Sequence, residues 1–297
     1  MNPTPPLPRI PRREFLSRVA AVLAIDPIRR VRPGRLKLSL SAYSFRDYLK
    51  LDAPRMDMFQ FVDLAADYGC DAVEPTSYWF PPDVDDAYLR RLQQHAFLQG
   101  LDISGTAIRN DLCLADPAAR AQQLETIRRW IDRASVLTAP VIRIFGGNVP
   151  RGDSEDAAAE RVISAIEELL PHAVARGVTL ALENHGGITD TPAQLLRIVR
   201  AVRAPEGGFG VNLDTGNFHG DDPYADVAAL APYAVNVQVK TEIRRGQGPK
   251  EPADLERMIA ILRDARYAGY VVLEYEADED PMIGVPAALR ILRPLMG

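Results

Sequence analysis

Four short apolar runs in the second half of the chain each deliver a carboxylate or an amide and then meet a turn or a polar stretch. Val178–Gly187 (VTLALENHGG) carries Glu183, Asn184 and His185 just before its two glycines. Phe209–Asp214 (FGVNLD) ends in Asp214 before Thr-Gly-Asn, Val235–Lys240 (VNVQVK) carries Gln238 and Lys240, and Tyr270–Glu276 (YVVLEYE) carries Glu274 and Glu276. Apolar runs of this length, bounded by turn signals, read as buried strands. Strands without a polar face belong to parallel sheets covered on both sides.

Helical spacing fills the intervals between such strands. The predicted strands of the first half are Leu36–Ser44, Asp71–Pro75, Asp102–Ile108 and Pro140–Phe145. The predicted helices are Met56–Tyr68, Asp86–Leu98, Pro117–Leu137, Ser154–Ala175, Thr191–Val202, Asp222–Leu230, Pro252–Ala265 and Val285–Leu295. Gly69 and Gly100 mark helix ends, and Thr191-Pro192 fits an N-cap followed by a first-turn proline. Eight strands alternating with eight helices predict an α/β fold closed as a (β/α)8 TIM barrel. An open doubly wound sheet would carry a Gly-rich phosphate loop between an early strand and a helix, and neither G-x-G-x-x-G nor G-x-x-x-x-G-K-[ST] occurs.

The 297 residues suit one such barrel, read as residues 35–297 behind an N-terminal tail of residues 1–34. In that tail Pro11-Arg12-Arg13-Glu14-Phe15-Leu16-Ser17 resembles a twin-arginine export motif, and VAAVLAI (19–25) would be its apolar segment. This points to the periplasm. The alternative is a Pro-rich tail on a cytoplasmic protein. A net charge of −5 speaks against a nucleic-acid partner, and no apolar run is long enough for a membrane span. Cys70 and Cys113 are too few for a disulfide framework or a thiolate zinc site and read as core thiols.

Chemistry in this fold sits at the C-terminal ends of the strands. Glu183, Asp214, Gln238 and Glu274 fall there on strands five to eight, one strand–helix unit apart, so their side chains can converge. Like charges that close are costly unless a cation lies between them, and a divalent metal resolves the conflict. Any one of these acids alone would read as a cap or a salt-bridge partner.

These motifs, LENHGG (182–187), NLDTGNF (212–218), NVQVK (236–240) and VLEYE (272–276), resemble the xylose-isomerase-like barrels of the sugar phosphate isomerase/epimerase superfamily over roughly residues 36–296. The resemblance implies a divalent ion held at Glu183, Asp214, Gln238 and Glu274, with Glu183 and Glu274 as paired acid and base around a sugar. Gln238 stands where ketose epimerases usually have His. A neutral amide oxygen favours Mn²⁺ or Mg²⁺ over Co²⁺ or Zn²⁺, or else marks a site that has lost its metal. Asn217 stands where a substrate-binding His is common, so the substrate need not be a free ketohexose. Homo-oligomers occur among such barrels.

His185, Lys240, Glu74, Arg143 and Asn217 are candidates for substrate contacts, and Tyr78, Trp79 and Phe80 for an apolar wall against a sugar ring. Glu276 competes with Glu274 for the ligand role. The implied reaction is proton transfer next to a carbonyl through an ene-diolate, giving isomerisation or epimerisation. β-Elimination from a keto-glycoside would share its first steps. The rivals are a Schiff-base aldolase on Lys240 and a sugar-binding barrel without catalysis. A DNA-repair endonuclease would need several histidine ligands, and two of the four histidines, His95 and His172, fall on helices.

Overall fold

The computed structural model describes residues 23–24, 26–28, 30 and 34–297. Eight parallel strands form the barrel: β1 Leu36–Ser41, β2 Ala72–Glu74, β3 in two pieces (Asp102–Ile103 and Thr106–Ala107), β4 Val141–Ile144, β5 Thr179–Glu183, β6 Phe209–Asp214, β7 Ala234–Val239 and β8 Gly269–Leu273. The pairing runs from the first piece of β3 through β2, β1, β8, β7, β6, β5 and β4 to the second piece of β3, so the circle closes through that broken strand. A Thr76–Ala107 bridge completes the closure.

Eight helices cover the outside: α1 Met58–Asp67, α2 Asp86–Leu98, α3 Pro117–Val136, α4 Glu155–Ala175, α5 Pro192–Ala201, α6 Pro223–Leu230, α7 Leu255–Asp264 and α8 Pro281–Leu292. Their inner faces follow the helical repeat. In α7, for example, Leu255, Met258, Ile259 and Leu262 are buried. Capping boxes open α1 (Asp57 with Gln60) and α5 (Thr191 with Gln194), which fixes where each chain segment turns onto the barrel wall.

The predicted elements stand, with four differences. The predicted first strand Leu36–Ser44 ends at Ser41, and Ala42–Phe45 forms a 3-10 helix. The third strand is interrupted at Ser104–Gly105, where the Ser104 hydroxyl pairs with Ser39 at 2.8 Å across the barrel interior. Helix α8 starts at Pro281, four residues before the predicted Val285. Asp280 caps it and Pro281 takes the first turn, so the Pro and Gly that read as breakers are accommodated. Pro252 belongs not to a helix but to a two-stranded antiparallel ribbon, Glu242–Arg244 with Lys250–Pro252, that projects beyond β7.

The Pro11–Ser17 motif lies outside the described residues. From the 19–25 run, Leu23–Ala24 pairs antiparallel with Arg203–Ala204. Beyond it, Ile28 N donates to Pro232 O and Arg30 Nη2 to Ala234 O. Part of the 1–34 segment therefore packs against the N-terminal end of the barrel. Among the described residues, no helix is long and apolar enough to cross a membrane.

Candidate active site

Barrel interiors of this kind are normally filled with branched apolar side chains. Here one interior level is polar. Glu74, at the end of β2, accepts from Asn236 Nδ2 at 2.8 Å and from Gln238 Nε2 at 2.7 Å. Asn212 Nδ2 donates to Gln238 Oε1 at 2.6 Å, and Asn236 Nδ2 also faces Asn212 Oδ1 at 2.8 Å. All four side chains are essentially sealed from solvent. Burial raises the Glu74 pKa, and the two amide donors oppose that rise. Each carboxylate oxygen of Glu74 has its own donor.

Above this floor the strand ends bring Glu183, Asp214, Glu274 and Lys240 together. The parallel register sets Gln238 beside Asp214, which places their strand ends next to each other. Asn184 clamps β5 to β6: its Nδ2 donates to Asp214 O and its Oδ1 accepts from Asp214 N, both at 2.8 Å. Two glycines make room. Gly187 has φ +53°, and a Cβ there would collide with the Gly147 carbonyl. A Cβ at Gly216 would come within 2.6 Å of Lys240 Cδ, so the Asp-Thr-Gly-Asn turn lets the lysine stem pass.

Lys240 Nζ lies 3.0 Å from Asp214 Oδ2, 2.8 Å from Glu276 Oε2 and 3.9 Å from Glu274 Oε1, and donates to Asn217 Oδ1 at 3.0 Å. Arg143 Nε lies 2.8 Å from Glu183 Oε2, and Asn217 Nδ2 donates to Glu183 Oε1 at 3.0 Å. The Arg143–Glu183 and Lys240–Asp214 pairs are close but not aligned as hydrogen bonds. Glu183 Oε2 and Asp214 Oδ2 are therefore buried oxygens each met by a single cation, off the alignment of an ideal hydrogen bond.

The electrostatics point the same way. Five carboxylates (Glu74, Glu183, Asp214, Glu274 and Glu276) share this end of the barrel with two cations, Arg143 and Lys240. Burial pushes the Glu183 carboxyl up to about 8 against the pull of Arg143. It also raises Asp214, and it lifts Glu274 well above the carboxylate range, in each case against Lys240. Burial alone would lower the Lys240 ammonium, but Asp214, Glu274 and Glu276 hold it well above its ordinary value. His185 is kept neutral, by burial first and then by Arg143 and Lys240.

The structure thus brings eight of the nine candidate residues into two neighbouring networks: Glu183, Asp214, Glu274, Lys240, Asn217 and Arg143 in one, Gln238 and Glu74 in the other. His185 stands at their edge, its ring 4.3 Å from that of Phe145. Glu274 is buried and Glu276 reaches Lys240 from a more open position, which separates two residues the sequence left in competition. The aromatic trio also divides. Phe80 is buried and stacks on Trp130, whereas Tyr78 and Trp79 group with Tyr43 at the mouth. Tyr43, Asn184, Asn212, Asn236 and Phe145 were not among the candidates. Tyr43 carries a positional signal, lying just past the first strand, whereas the buried amides give none.

As side chains for a metal, the upper acids supply hard, buried oxygens, two of them paired only with a cation, in a cluster whose carboxylates outnumber its cations. That chemistry fits a divalent cation. Among the described residues no three Asp, Glu, His or Cys side chains form a ready ligand shell, since Lys240 stands among the acids. Gln238 Oε1 already accepts from Asn212, although a carbonyl oxygen has a second lone pair to offer.

Residues 62–295 match the family described as xylose isomerase-like TIM barrels. The chain belongs to that family. Crystal structures of the same fold include D-psicose 3-epimerase with D-tagatose from Clostridium cellulolyticum H10, with a TM-score of 0.71 and 17% identity over 88% of this chain and 99% of that one. They also include 3-keto-D-glucoside 4-epimerase from E. coli, with a TM-score of 0.64 and 15% identity over 88% and 99%. The putative hydroxypyruvate isomerase of Mus musculus is 26% identical over 186 residues, which is 58% of this chain and 66% of the mouse protein. Within this xylose isomerase-like barrel, the acid cluster occupies the strand ends where the fold places its chemistry.

Proposed function

We propose that this barrel is a divalent-metal-dependent isomerase or epimerase of ketoses or keto-sugars. The observation that carries the reading is the convergence of three buried carboxylates, Glu183, Asp214 and Glu274, inside a cluster whose carboxylates outnumber its cations, with Glu183 Oε2 and Asp214 Oδ2 each met by one cation alone. Glu183, Asp214 and Glu274 would hold the ion, with Gln238 as a fourth ligand through its free lone pair. Mn²⁺ or Mg²⁺ suits this all-oxygen set. When bound, the ion supplies Lewis-acid polarisation of a carbonyl and so acidifies the neighbouring C–H.

The side chains supply the rest. Glu183 and Glu274, on strands at the two edges of the cluster, remove a proton from the substrate carbon and return one. Without metal, burial raises both carboxyls, so each holds a proton more readily than an exposed glutamate does. Arg143 and Asn217 fix the Glu183 carboxylate from two sides, so its lone pair is aimed before substrate arrives. Lys240, freed from Asp214, would hold a substrate oxygen while Glu276 keeps its ammonium in place. Neutral His185 is available as a hydrogen-bond partner to a sugar hydroxyl. The similarity to a psicose epimerase and a keto-glucoside epimerase supports this class of substrate.

Incubation with ketoses in D2O, with Mn²⁺ and with chelator, tests the reading. We expect metal-dependent deuterium incorporation next to the carbonyl. Sugar binding with no exchange under any metal would instead favour a binding protein.

A further inference from the structure

The residues that lead into β1 follow the ring of strands in order. Leu23–Ala24 pairs with Arg203–Ala204, just ahead of β6. Ile28 N donates to Pro232 O and Arg30 Nη2 to Ala234 O at 2.8 Å, both at the entry to β7. Gly34 lies against the turn ahead of β8, where a Cβ on it would collide with the Tyr267 carbonyl. The Arg30 guanidinium stands 5.0 Å from the centre of the buried Tyr267 ring, whose hydroxyl donates to Tyr270 O in β8. These contacts make a strap across the N-terminal ends of β6, β7 and β8. The same three strands lead, at their other ends, to Asp214, Gln238, Lys240 and Glu274.

What the strap holds at β7 is a break in the strand's alternation. Consecutive residues of a strand face opposite sides. Val211 and Asn212 are consecutive on β6, yet their partners on β7 are Ala234 and Asn236, two residues apart. Val235 is thus the extra residue of a β-bulge. Gly210 makes room for it, since a Cβ there would come within 2.5 Å of Val235 Cγ1 and 3.0 Å of Tyr233 O. Beyond the bulge Asn236 and Gln238 meet Glu74 and Asn212, and Lys240 meets Asp214. A slip of one residue would turn all three outward. Arg30 binds the carbonyl just before the bulge. Its guanidinium is half-buried, and Nη1 is shielded from solvent with no hydrogen-bond partner among the described residues. Burying it that way costs free energy that a space-filling apolar side chain would not.

We propose that Arg30 is a positioning residue for the active site. By holding the Ala234 carbonyl it fixes the bulge, and through the bulge the inward face of Asn236, Gln238 and Lys240. The inference rests on the isomerase or epimerase reading only for what those side chains then do.

The test uses the full chain and three variants. Arg30→Met keeps a stem over Tyr267 and loses the donor, Arg30→Lys keeps a donor, and Leu92→Ala opens a cavity in α2, away from the strap. Amide hydrogen exchange over β7 and β5 is followed by mass spectrometry without metal, and Mn²⁺ affinity by calorimetry. In Arg30→Met, exchange over residues 236–240 should rise at least about tenfold, the effect of losing one hydrogen bond from a charged group, with little change over β5. Mn²⁺ affinity should fall by a similar factor, and Arg30→Lys should recover most of both. Leu92→Ala should affect β5 and β7 alike and leave Mn²⁺ affinity unchanged. Native exchange over β7 in Arg30→Met, or a rise shared equally with β5, would overturn the proposal, because Arg30 would then add stability at most. A β7-specific rise with native Mn²⁺ affinity would overturn it too. If the native chain binds no Mn²⁺, the metal-dependent reading fails, and the β7-specific rise with its Arg30→Lys rescue decides the positioning role alone. Should Arg30→Met not fold, Arg30→Gln, too short to span the same distance, carries the same comparison.

Discussion

Two adjacent levels of one barrel interior treat the same functional group in opposite ways. At the lower level Glu74 is buried and fully served, with Gln238 on one oxygen and Asn236 on the other. At the upper level Glu183 and Asp214 are just as buried, yet each has an oxygen met only by a cation out of hydrogen-bond alignment, Arg143 Nε at 2.8 Å and Lys240 Nζ at 3.0 Å. The difference teaches how to separate a carboxylate that supports the fold from one held for a reaction. Burial alone does not distinguish them. Whether the chain has arranged donors around the charge does.

The largest effect that would sharpen this contrast is on proton transfer. A Glu183→Gln/Glu274→Gln double variant should lower deuterium exchange by at least about a thousandfold, within the usual range for losing an acid/base pair, while near-native circular dichroism shows an intact barrel. Exchange at the native rate would move the chemistry elsewhere.

Stability should move in opposite directions at the two levels. Glu74→Ala strands the amides of Asn236 and Gln238 and should cost about 2–4 kcal/mol. Asp214→Asn, in metal-free protein, removes a charge whose burial outweighs its Lys240 and Gly216 contacts, and should leave the chain equally stable or more stable by about 1 kcal/mol. Urea midpoints decide. Matching losses at both positions would erase the distinction.

The pH dependence follows from the raised Glu183 pKa. An unfolded glutamate titrates near about 4.3, and the folded one near about 8. Between these values the folded chain keeps a proton that the unfolded chain has released, so rising pH favours unfolding. With chelator present, the melting temperature should be highest below about pH 4.3 as far as this group is concerned, and should fall toward pH 8. Saturating Mn²⁺ should flatten the fall. A melting temperature that rises between pH 5 and 8 with chelator would contradict it.

The smallest effect concerns metal choice. Gln238→His adds an imidazole, and should shift the affinity ratio toward Zn²⁺ or Co²⁺ by about tenfold. Removing the Glu74 and Asn212 contacts will also cost some stability. An unchanged metal preference would place Gln238 outside the ligand set, as a member of the lower network only.

The barrel was legible because apolar strands and periodic helices alternate, and because signals such as Thr191-Pro192 mark a helix start, whereas the Asp57 cap lay hidden inside the predicted Met56–Tyr68 helix. The convergence of Glu183, Asp214 and Glu274 was legible for a related reason: in a parallel barrel, consecutive strand ends are neighbours. What the sequence could not separate was the level of each residue. Gln238 and Lys240 are two apart on one strand and share a face, yet one closes the floor network and the other stands among the acids. That difference comes from partners on other strands, Glu74 and Asn212 for one and Asp214 and Glu276 for the other. The ribbon was missed because its strands are only three residues long and one of them, Lys250–Pro252, has no buried residue to give an apolar signal.

The most direct test is metal stoichiometry. Purified chain and a Glu183→Gln/Asp214→Asn variant would be stripped, reconstituted with Mn²⁺, desalted and assayed by elemental analysis, with Glu74→Gln as the lower-level control. One equivalent retained by the native chain and by Glu74→Gln, and lost by the double variant, is the predicted result. No retained metal in the native chain, or equal retention in all three, would contradict the claim that the upper carboxylates hold a divalent ion.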